Sequence, residues 1–314
     1  MPITYKSLDK ELKASVNASL TRRGKTIYVH ANDGSDGDNG RTWDSAYLTM
    51  AKAFTALSSG DTIIFAGKIR EQLTAPALVF DVTIIGAGNR PRHADDSPTP
   101  VGGKSANTWT TPSSAAATTP LLTQKQQGWK YVNILFAGPS DDACVELTRT
   151  EEGAAEQDCS HTEFIDCRFA SGYDGIRDSG GCNNILVQNC RFEALTNFAI
   201  IGVGNIGVGQ SNWKIVDNTF DEFTNGIKIA AFGCRIQNNT FTEGGTPATT
   251  VVLNTSNGGG SKNFVVHNYF QGTTANFNSP DVVGNATDVW MENYAIDSTS
   301  AGVGGNFEAG QPAG

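Results

Sequence analysis

The chain has 314 residues, of which 18% are charged and 35 are glycine, and its formal net charge is −9. Such a negative chain repels phosphates, which argues against a nucleic-acid partner. No stretch approaches the roughly 18–20 consecutive apolar residues of a membrane span. The glycine content favours a turn-rich β protein over a helical enzyme, because turns need residues that tolerate unusual φ and ψ.

Residues 1–23 contain the period of an amphipathic helix. An apolar residue recurs at every fourth position, at Leu8, Leu12, Val16 and Leu20. Two interpretations stay open: a cap over one end of a solenoid, and an arm that docks on another protein. The first residues lack the basic-then-apolar pattern of a secretory signal, so we expect assembly in a cytoplasm.

Residues 24–70 predict an N-terminal cap of strand, helix and strand. Ser45 is expected to cap a helix over about 46–57. This helix would bury Leu48, Ala51, Phe54 and Leu57. The preceding loop, 32–40, carries Asp33, Asp36 and Asp38, whose spacing does not match a twelve-residue calcium loop with its terminal Glu. We interpret it as a solvated turn, with calcium as the alternative.

Residues 71–300 predict the solenoid itself, with a long Pro-, Ser- and Thr-rich loop around 88–125 and a flexible Gly-rich tail at 301–314. From 129 onward a six-residue pattern recurs. Its copies are residues 164–169, 187–192, 215–220, 236–241, 265–270 and a degenerate 290–295. The intervals between the terminal Phe residues are 23, 28, 21 and 29. A period of about 25 residues with two or three short strands is typical of a parallel β-helix.

In a parallel stack, equivalent residues of successive coils lie roughly 4.8 Å apart, so repeated positions become columns. One column is a predicted aromatic core of Phe169, Phe192, Phe220, Phe241 and Phe270. A second is a predicted inward ladder of Cys167, Cys190, Asn218, Asn239, Asn268 and Asn293. Asparagine can hydrogen-bond the turn backbone and its neighbouring amides, whereas cysteine would fill the space without those bonds.

The six cysteines show neither a C-x-x-C pair nor the clustering of a zinc site. They are Cys144, Cys159, Cys167, Cys182, Cys190 and Cys234. Without a signal peptide we expect reduced, mostly buried thiols, although Cys167 and Cys190 are one coil apart and could be bridged by an oxidant. We predict neither a metal site nor a cofactor.

The polar column before the ladder carries Asp166 and Asp217, two coils apart, so about 10 Å separates them, just outside the range of an inverting glycosidase. We interpret this column as turn residues, with a sugar-binding or catalytic stripe as the alternative. Asp174 and Asp178 flank a second strand and could reach a groove, but Asp-Gly also marks a turn. No catalytic residue is assigned.

On the second strand, the outward column is predicted to be Arg177, Ile201, Lys228 and Val252. Ile201 and Val252 would be costly in water as a contiguous strip, so we predict them, with the apolar face of residues 1–23, as partner-binding residues. Parallel solenoids in a homotrimer would bury this strip most simply.

The stretch from Ile27 to Ile63, with Asn32-Asp33-Gly34-Ser35-Asp36 and Gly40-Arg41-Thr42-Trp43, resembles the opening of pectate-lyase-like right-handed β-helix proteins. The N-x-F coils resemble the same superfamily. The resemblance implies an all-β fold, a right-handed single-stranded parallel β-helix with an N-terminal helical arm and a short capping helix. It implies little about function, because the superfamily holds lyases, hydrolases, tail spikes and virion decorations.

We therefore expect a structural protein of a tailed phage, either a capsid decoration or cement protein or a short spike, located in the virion. Its partners would be other copies and the major capsid or tail protein. The alternative is a carbohydrate-active β-helix: a polysaccharide lyase, a hydrolase, or a tail spike that binds a host-surface glycan.

Overall fold

The chain folds as a right-handed parallel β-helix in which three parallel sheets wrap around one apolar core. The computed structural model describes residues 24–88, 107–114, 116–149, 158–202, 210–242, 253–255, 261–272, 282–284, 287–297 and 304–305. Each complete coil contributes one strand to each sheet, in the order A, B, C. Among these residues, no helix is long and apolar enough to cross a membrane.

The strand bounds follow the order of the coils. Sheet A contains Thr26–His30, Thr62–Ala66, Thr83–Gly86, Lys130–Val132, Glu163–Ile165, Leu186–Gln188, Lys214–Val216, Arg235–Gln237, Phe264–Val266 and Val289–Met291. Sheet B contains Lys68–Arg70, Thr108–Thr110, Leu135–Ala137, Arg168–Ala170, Arg191–Glu193, Thr219–Asp221, Thr240–Thr242, Tyr269–Gly272, Tyr294–Asp297 and the antiparallel Gly304–Gly305. Sheet C contains Leu73–Thr74, Leu122–Gln124, Ala143–Leu147, Asp174–Asp178, Phe198–Gly202, Asn225–Lys228, Leu253–Asn254 and Val282–Val283. A small fourth sheet pairs Gln210–Ser211 with Ala231–Phe232.

These bounds change two local predictions. Strands Thr108–Thr110 and Leu122–Gln124 lie inside the segment 88–125 that we predicted to be a loop. The helix after the first loop is Met50–Thr55, and Thr49, not Ser45, is its N-cap. The cause is Asp36, whose carboxylate accepts hydrogen bonds from the Leu48 and Thr49 backbone N–H groups and holds them outside the helix.

The helix buries Met50, Ala53 and Phe54, whereas Leu48 and Ala51, which we expected to be buried, are exposed. Both Asp36 carboxylate oxygens are occupied by these helix-start contacts, because Oδ2 also accepts from the Thr49 hydroxyl at 2.8 Å. Asp36 therefore joins the loop to the start of the helix.

The predicted aromatic column is confirmed as a stack inside sheet B. Successive rings from Phe169 to Phe270 lie 4.8, 4.9, 4.6 and 5.0 Å apart between centroids and are nearly parallel. The stack continues through Phe136 towards Trp109. Offset rings at such distances attract each other beyond the area that they bury.

The asparagine ladder is also confirmed, and it turns the chain from sheet A into sheet B. Asn239 Oδ1 accepts from the Asn218 backbone N–H and from Asn218 Nδ2, both at 3.0 Å. Asn239 Nδ2 donates to the Ile215 carbonyl at 2.9 Å and to Asn268 Oδ1 at 3.0 Å. Each amide therefore joins three successive coils.

The cysteines of this ladder are not inert fillers. The thiol of Cys190 donates to the Phe164 carbonyl at 3.4 Å, the same position in the preceding coil that asparagine amides use elsewhere. Cys167 does the same to the Tyr131 carbonyl. We expected cysteine to make none of the ladder hydrogen bonds. That expectation was wrong for the bond donated to the preceding coil, because a thiol can donate one weak hydrogen bond.

A second ladder precedes sheet A and was not predicted. Asn263 Oδ1 accepts from the Cys234 backbone N–H at 2.9 Å, and Asp288 Oδ1 accepts from the Asn263 N–H and side-chain amide at 3.0 Å. Corner geometry thus recurs at both ends of the sheet A strands.

One cysteine prediction is wrong: Cys159 and Cys182 form a disulfide, with Cα atoms 5.7 Å apart. Because the two residues occupy equivalent places in successive coils, the stacking itself brings them within disulfide range. The other four, Cys144, Cys167, Cys190 and Cys234, are free and buried as expected. Burial raises the pKa of Cys144 to about 12 and that of Cys234 to about 11, so these thiols stay protonated near neutral pH.

Candidate functional site

The structure does not bring the four predicted glycan-stripe acids together. Asp166 and Asp217 lie at the exposed corner between sheets A and B in the left-handed conformation, with φ of 56° and 60°. Asp166 accepts from Asn189 Nδ2 at 2.6 Å, and Asp217 accepts from Asn238 Nδ2 at 3.1 Å. They are turn residues, because short polar side chains tolerate this conformation best after glycine.

Asp174 and Asp178 lie at opposite ends of one sheet C strand, and both are buried. Asp174 Oδ2 accepts from Arg177 Nε and Nη2 at 3.0 and 2.8 Å, and its Oδ1 accepts from the Phe198 backbone N–H. Four residues of extended chain separate the two carboxylates by roughly 13 Å. Neither is placed to act on a substrate outside the shaft.

Asp178 organises the turn that follows it. Its oxygens accept from the backbone N–H groups of Gly180, Gly181 and Cys182 and from Gln210 Nε2 at 2.8 Å. Burial nevertheless raises the pKa of this carboxyl to about 6.

Among the described residues, the one group with metal-ligand chemistry is Cys159, Asp178 and Cys182, with ligand atoms within 4.8 Å of one another. The disulfide uses both sulfur atoms, and the carboxylate is already occupied by N–H donors, so this cluster is structural.

The outward column of sheet C only partly matches its prediction. Arg177, Ile201 and Lys228 are paired side by side as expected, but the next position is Asn254. Val252, like Leu8, Leu12, Val16 and Leu20, lies outside the described residues.

Because Ile201 lies between two cations and the next position is an amide, sheet C has no contiguous apolar strip. Arg177 is fixed by Asp142 at 2.6 Å, and Lys228 Nζ lies 5.9 Å from the centre of the Phe198 ring. Asn254, not Val252, therefore occupies the position next to Lys228, and partner binding by Ile201 and Val252 stays a prediction.

A largely apolar column, interrupted by two glutamines, lies on the outer face of sheet A. It occupies one outward register position in all ten strands and consists of Tyr28, Ile64, Ile85, Val132, Ile165, Gln188, Val216, Gln237, Val266 and Met291. The column is hereafter called the sheet A column. Eight of its ten side chains are aliphatic or aromatic, and ten strands extend over roughly 43 Å.

Stacking covers most of these side chains in part, and Met291 at the far end is 53% exposed. At the other end the Trp43 ring meets Tyr28 edge-on, at 5.0 Å between centroids. Aliphatic side chains that face outward in successive coils are the kind of surface that a partner covers.

Charged residues lie among uncharged ones on both sides of the sheet A column. On the strand-start side, Lys130, Lys214 and Arg235 are outward residues, and Lys130 pairs with Glu163 at 3.0 Å. On the corner side, Asp166 and Asp217 are followed by Glu292, which pairs with His267 at 2.9 Å. Besides these two ion pairs, the strand-start side carries the cations Lys214 and Arg235, and the corner side carries the anions Asp166 and Asp217.

The sequence contained a signal for this column that we did not use. In each repeat, the residue directly before the polar corner residue is the column member, as in Ile165, Val216 and Val266. We took outward positions from the second strand of the coil and so did not consider the outer face of sheet A.

Comparison with known proteins supports the fold. No family model matches the sequence, and no curated protein matches it in sequence. The structure is similar to the pectate lyase Pel9A, with a TM-score of 0.54 and 11% identity over 87% of this chain and 77% of that chain.

Two further solved structures are similar at the same level. A pectate lyase from Bacillus sp. N165, in complex with trigalacturonate, gives a TM-score of 0.53 and 13% identity, covering 92% of this chain and 88% of that one. A lacto-N-biosidase from Eubacterium ramulus gives 0.53 and 9% identity, covering 85% of this chain and 60% of that one. The chain thus has the parallel β-helix fold of pectate-lyase-like proteins, and identities this low establish nothing about its activity.

Proposed function

We propose that this chain is a structural protein of a tailed phage particle, a β-helical capsid decoration or cement protein or a short spike, which acts through its outer surface. The observation that carries this proposal is the sheet A column, in which eight of ten outward side chains are apolar. The virion assignment rests on the sequence resemblance, since that superfamily includes such proteins. Its partners would be other copies, expected as a homotrimer, and the capsid or tail protein of the particle. Residues 1–23 are the candidate segment that docks on that protein.

Burial of the sheet A column is energetically favourable because each square ångström of apolar surface removed from water contributes about 25 cal/mol. The row of half-buried Ile and Val side chains already has its neighbours above and below in place. A partner therefore loses little side-chain entropy when it covers them.

Mass spectrometry of purified phage particles whose genome encodes this chain tests the virion assignment. We expect the chain in intact particles at a constant copy number after washing with high salt. Its absence from particles that still infect would contradict the assignment.

Introducing lysine into the column tests its role in association. The double variant Ile165→Lys, Val216→Lys is expected to lower the molar mass measured by light scattering to that of a 33.3 kDa monomer, because a buried unpaired charge opposes association. Outward residues of sheet B provide the control, Thr219→Lys with Thr240→Lys. Equal masses for both variants and the parent would show that the column is not a contact surface.

A second candidate function is glycan binding on sheet C. Lys228 and the Phe198 ring of the preceding coil combine a cation and an aromatic face, which suits an acidic polysaccharide. The test is titration with polygalacturonate, in which calorimetry measures binding and ultraviolet absorbance detects unsaturated products. The absence of both binding heat and unsaturated product would remove this candidate.

A further inference from the structure

The two borders of the sheet A column carry opposite charge. On the strand-start border, Lys130 and Glu163 neutralise each other, and Lys214 and Arg235 supply positive charge. On the corner border, Glu292 pairs with His267, and Asp166 and Asp217 supply negative charge. Three residues of extended chain separate the borders by roughly 10 Å, and the column lies between them.

Such a surface is complementary to itself in one orientation only. A two-fold axis that runs along the shaft, in the plane of contact, exchanges the two borders. The apolar columns then meet each other, and the basic border of each copy faces the acidic border of the other. A two-fold axis across the shaft would instead set like borders against each other, which costs free energy.

We propose that the occupant of the sheet A column is a second copy of this chain, packed parallel to the first about a two-fold axis along the shaft. The inference rests on the proposed side-by-side association and names its partner. It replaces the threefold shaft expected from Ile201 and Val252, because a threefold axis brings two different faces together and leaves this self-complementarity unused.

Charge and area both favour a second copy. The chain carries a net charge of −9, so two copies meet favourably only where cations face anions, and this surface supplies both. A strip of roughly 43 Å by 15 Å covers about 650 Å² on each copy, close to the ~800 Å² per partner of a standard interface.

The two-fold axis makes a specific pairing. Lys214 and Asp217 belong to the same coil, and both are exposed. At equal height, Lys214 of one copy therefore faces Asp217 of the second copy, and the symmetry repeats this pair.

Charge exchange between copies tests the pairing. Lys214→Asp alone and Asp217→Lys alone are each expected to raise the dimer dissociation constant about tenfold to a hundredfold, because each sets like charges together twice. An equimolar mixture of the two variants is expected to restore the dimer, since both contacts become attractive again. Lys68→Asp, which makes the same charge change on sheet B, serves as the control and is expected to leave the dissociation constant unchanged.

A cross-link supplies the second measurement. Gln237 lies in the sheet A column in the eighth of ten strands. In a parallel pair it therefore faces Gln237 of the second copy, whereas in an antiparallel pair it would face the third strand. Gln237→Cys is expected to give a covalent dimer on mild oxidation. Thr240→Cys, on sheet B, is expected to give none.

The outcomes separate the two proposals. A parent mass of three times 33.3 kDa, or a mixture that stays dissociated, would overturn the two-fold pairing while side-by-side association remains. A parent that is monomeric at all concentrations tested would overturn both. Circular dichroism melting of every variant shows that loss of association is not loss of folding.

Discussion

Replacement of Asn239 by alanine is expected to lower the free energy of unfolding by about 3–5 kcal/mol. The side-chain amide takes part in four hydrogen bonds that join three coils, and alanine leaves the Asn218 N–H and the Ile215 carbonyl buried without this partner. Each buried group left unsatisfied costs about 1–3 kcal/mol. Chemical denaturation followed by circular dichroism measures the change.

The neighbouring outward residue provides the matched control for the ladder. Thr240→Ala alters a half-buried side chain of the same coil and is expected to change stability by less than about 1 kcal/mol. Cys190→Asn is the reciprocal variant and is expected to raise the melting temperature, because its Oδ1 could accept from the Cys167 N–H as Asn218 Oδ1 accepts from the Cys190 N–H. Equal stability of Asn239→Ala and Thr240→Ala would show that the ladder contributes little.

Loss of the Cys159–Cys182 disulfide is expected to destabilise the fold by about 3 kcal/mol, because the bond closes a loop of 23 residues in the unfolded chain. The melting temperature of the Cys159→Ser, Cys182→Ser variant should fall by about 5 °C. Differential scanning calorimetry with and without reductant measures this shift, and the reductant should lower the melting temperature of the parent but not that of the variant.

The remaining thiols provide the control for that experiment. The Cys167→Ser, Cys190→Ser variant should show the same response to reductant as the parent, because those thiols are free in the structure. In the native protein none of the four free thiols should react with iodoacetamide at pH 8, since burial raises their pKa where a shift is resolved and excludes the reagent. A parent that melts identically with and without reductant would contradict a stabilising disulfide.

Much of this fold could be predicted because each coil repeats its own constraints. The asparagine and the phenylalanine two residues later, as in Asn218 and Phe220, fix the ladder and the core stack together. The geometry of one corner requires both residue types, so the pattern is visible in a single sequence. From the same repetition we could predict that Asp166 and Asp217 lie in turns.

Predictions failed where contacts are distant in sequence. The helix start depends on Asp36, which accepts from Leu48 and Thr49 across more than ten residues. On sheet C the position next to Lys228 is Asn254, two residues from the Val252 that we predicted, because the chain between Phe241 and Leu253 contains no repeated pattern to count from. Cys159 and Cys182 lie outside the repeated hexapeptides, although their separation of 23 equals the interval from Phe169 to Phe192.

The left-handed corner residue has a consequence for how such chains diverge. Its φ lies between 51° and 60° at Asp166, Asn189, Asp217, Asn238, His267 and Glu292, so every coil bends by the same amount whatever its side chain. A coil can then be duplicated or deleted as a module without redirecting the rest of the shaft. We expect homologous chains to differ in length by whole coils of about 25 residues, each adding about 4.8 Å of height. The number of coils would act as a molecular ruler.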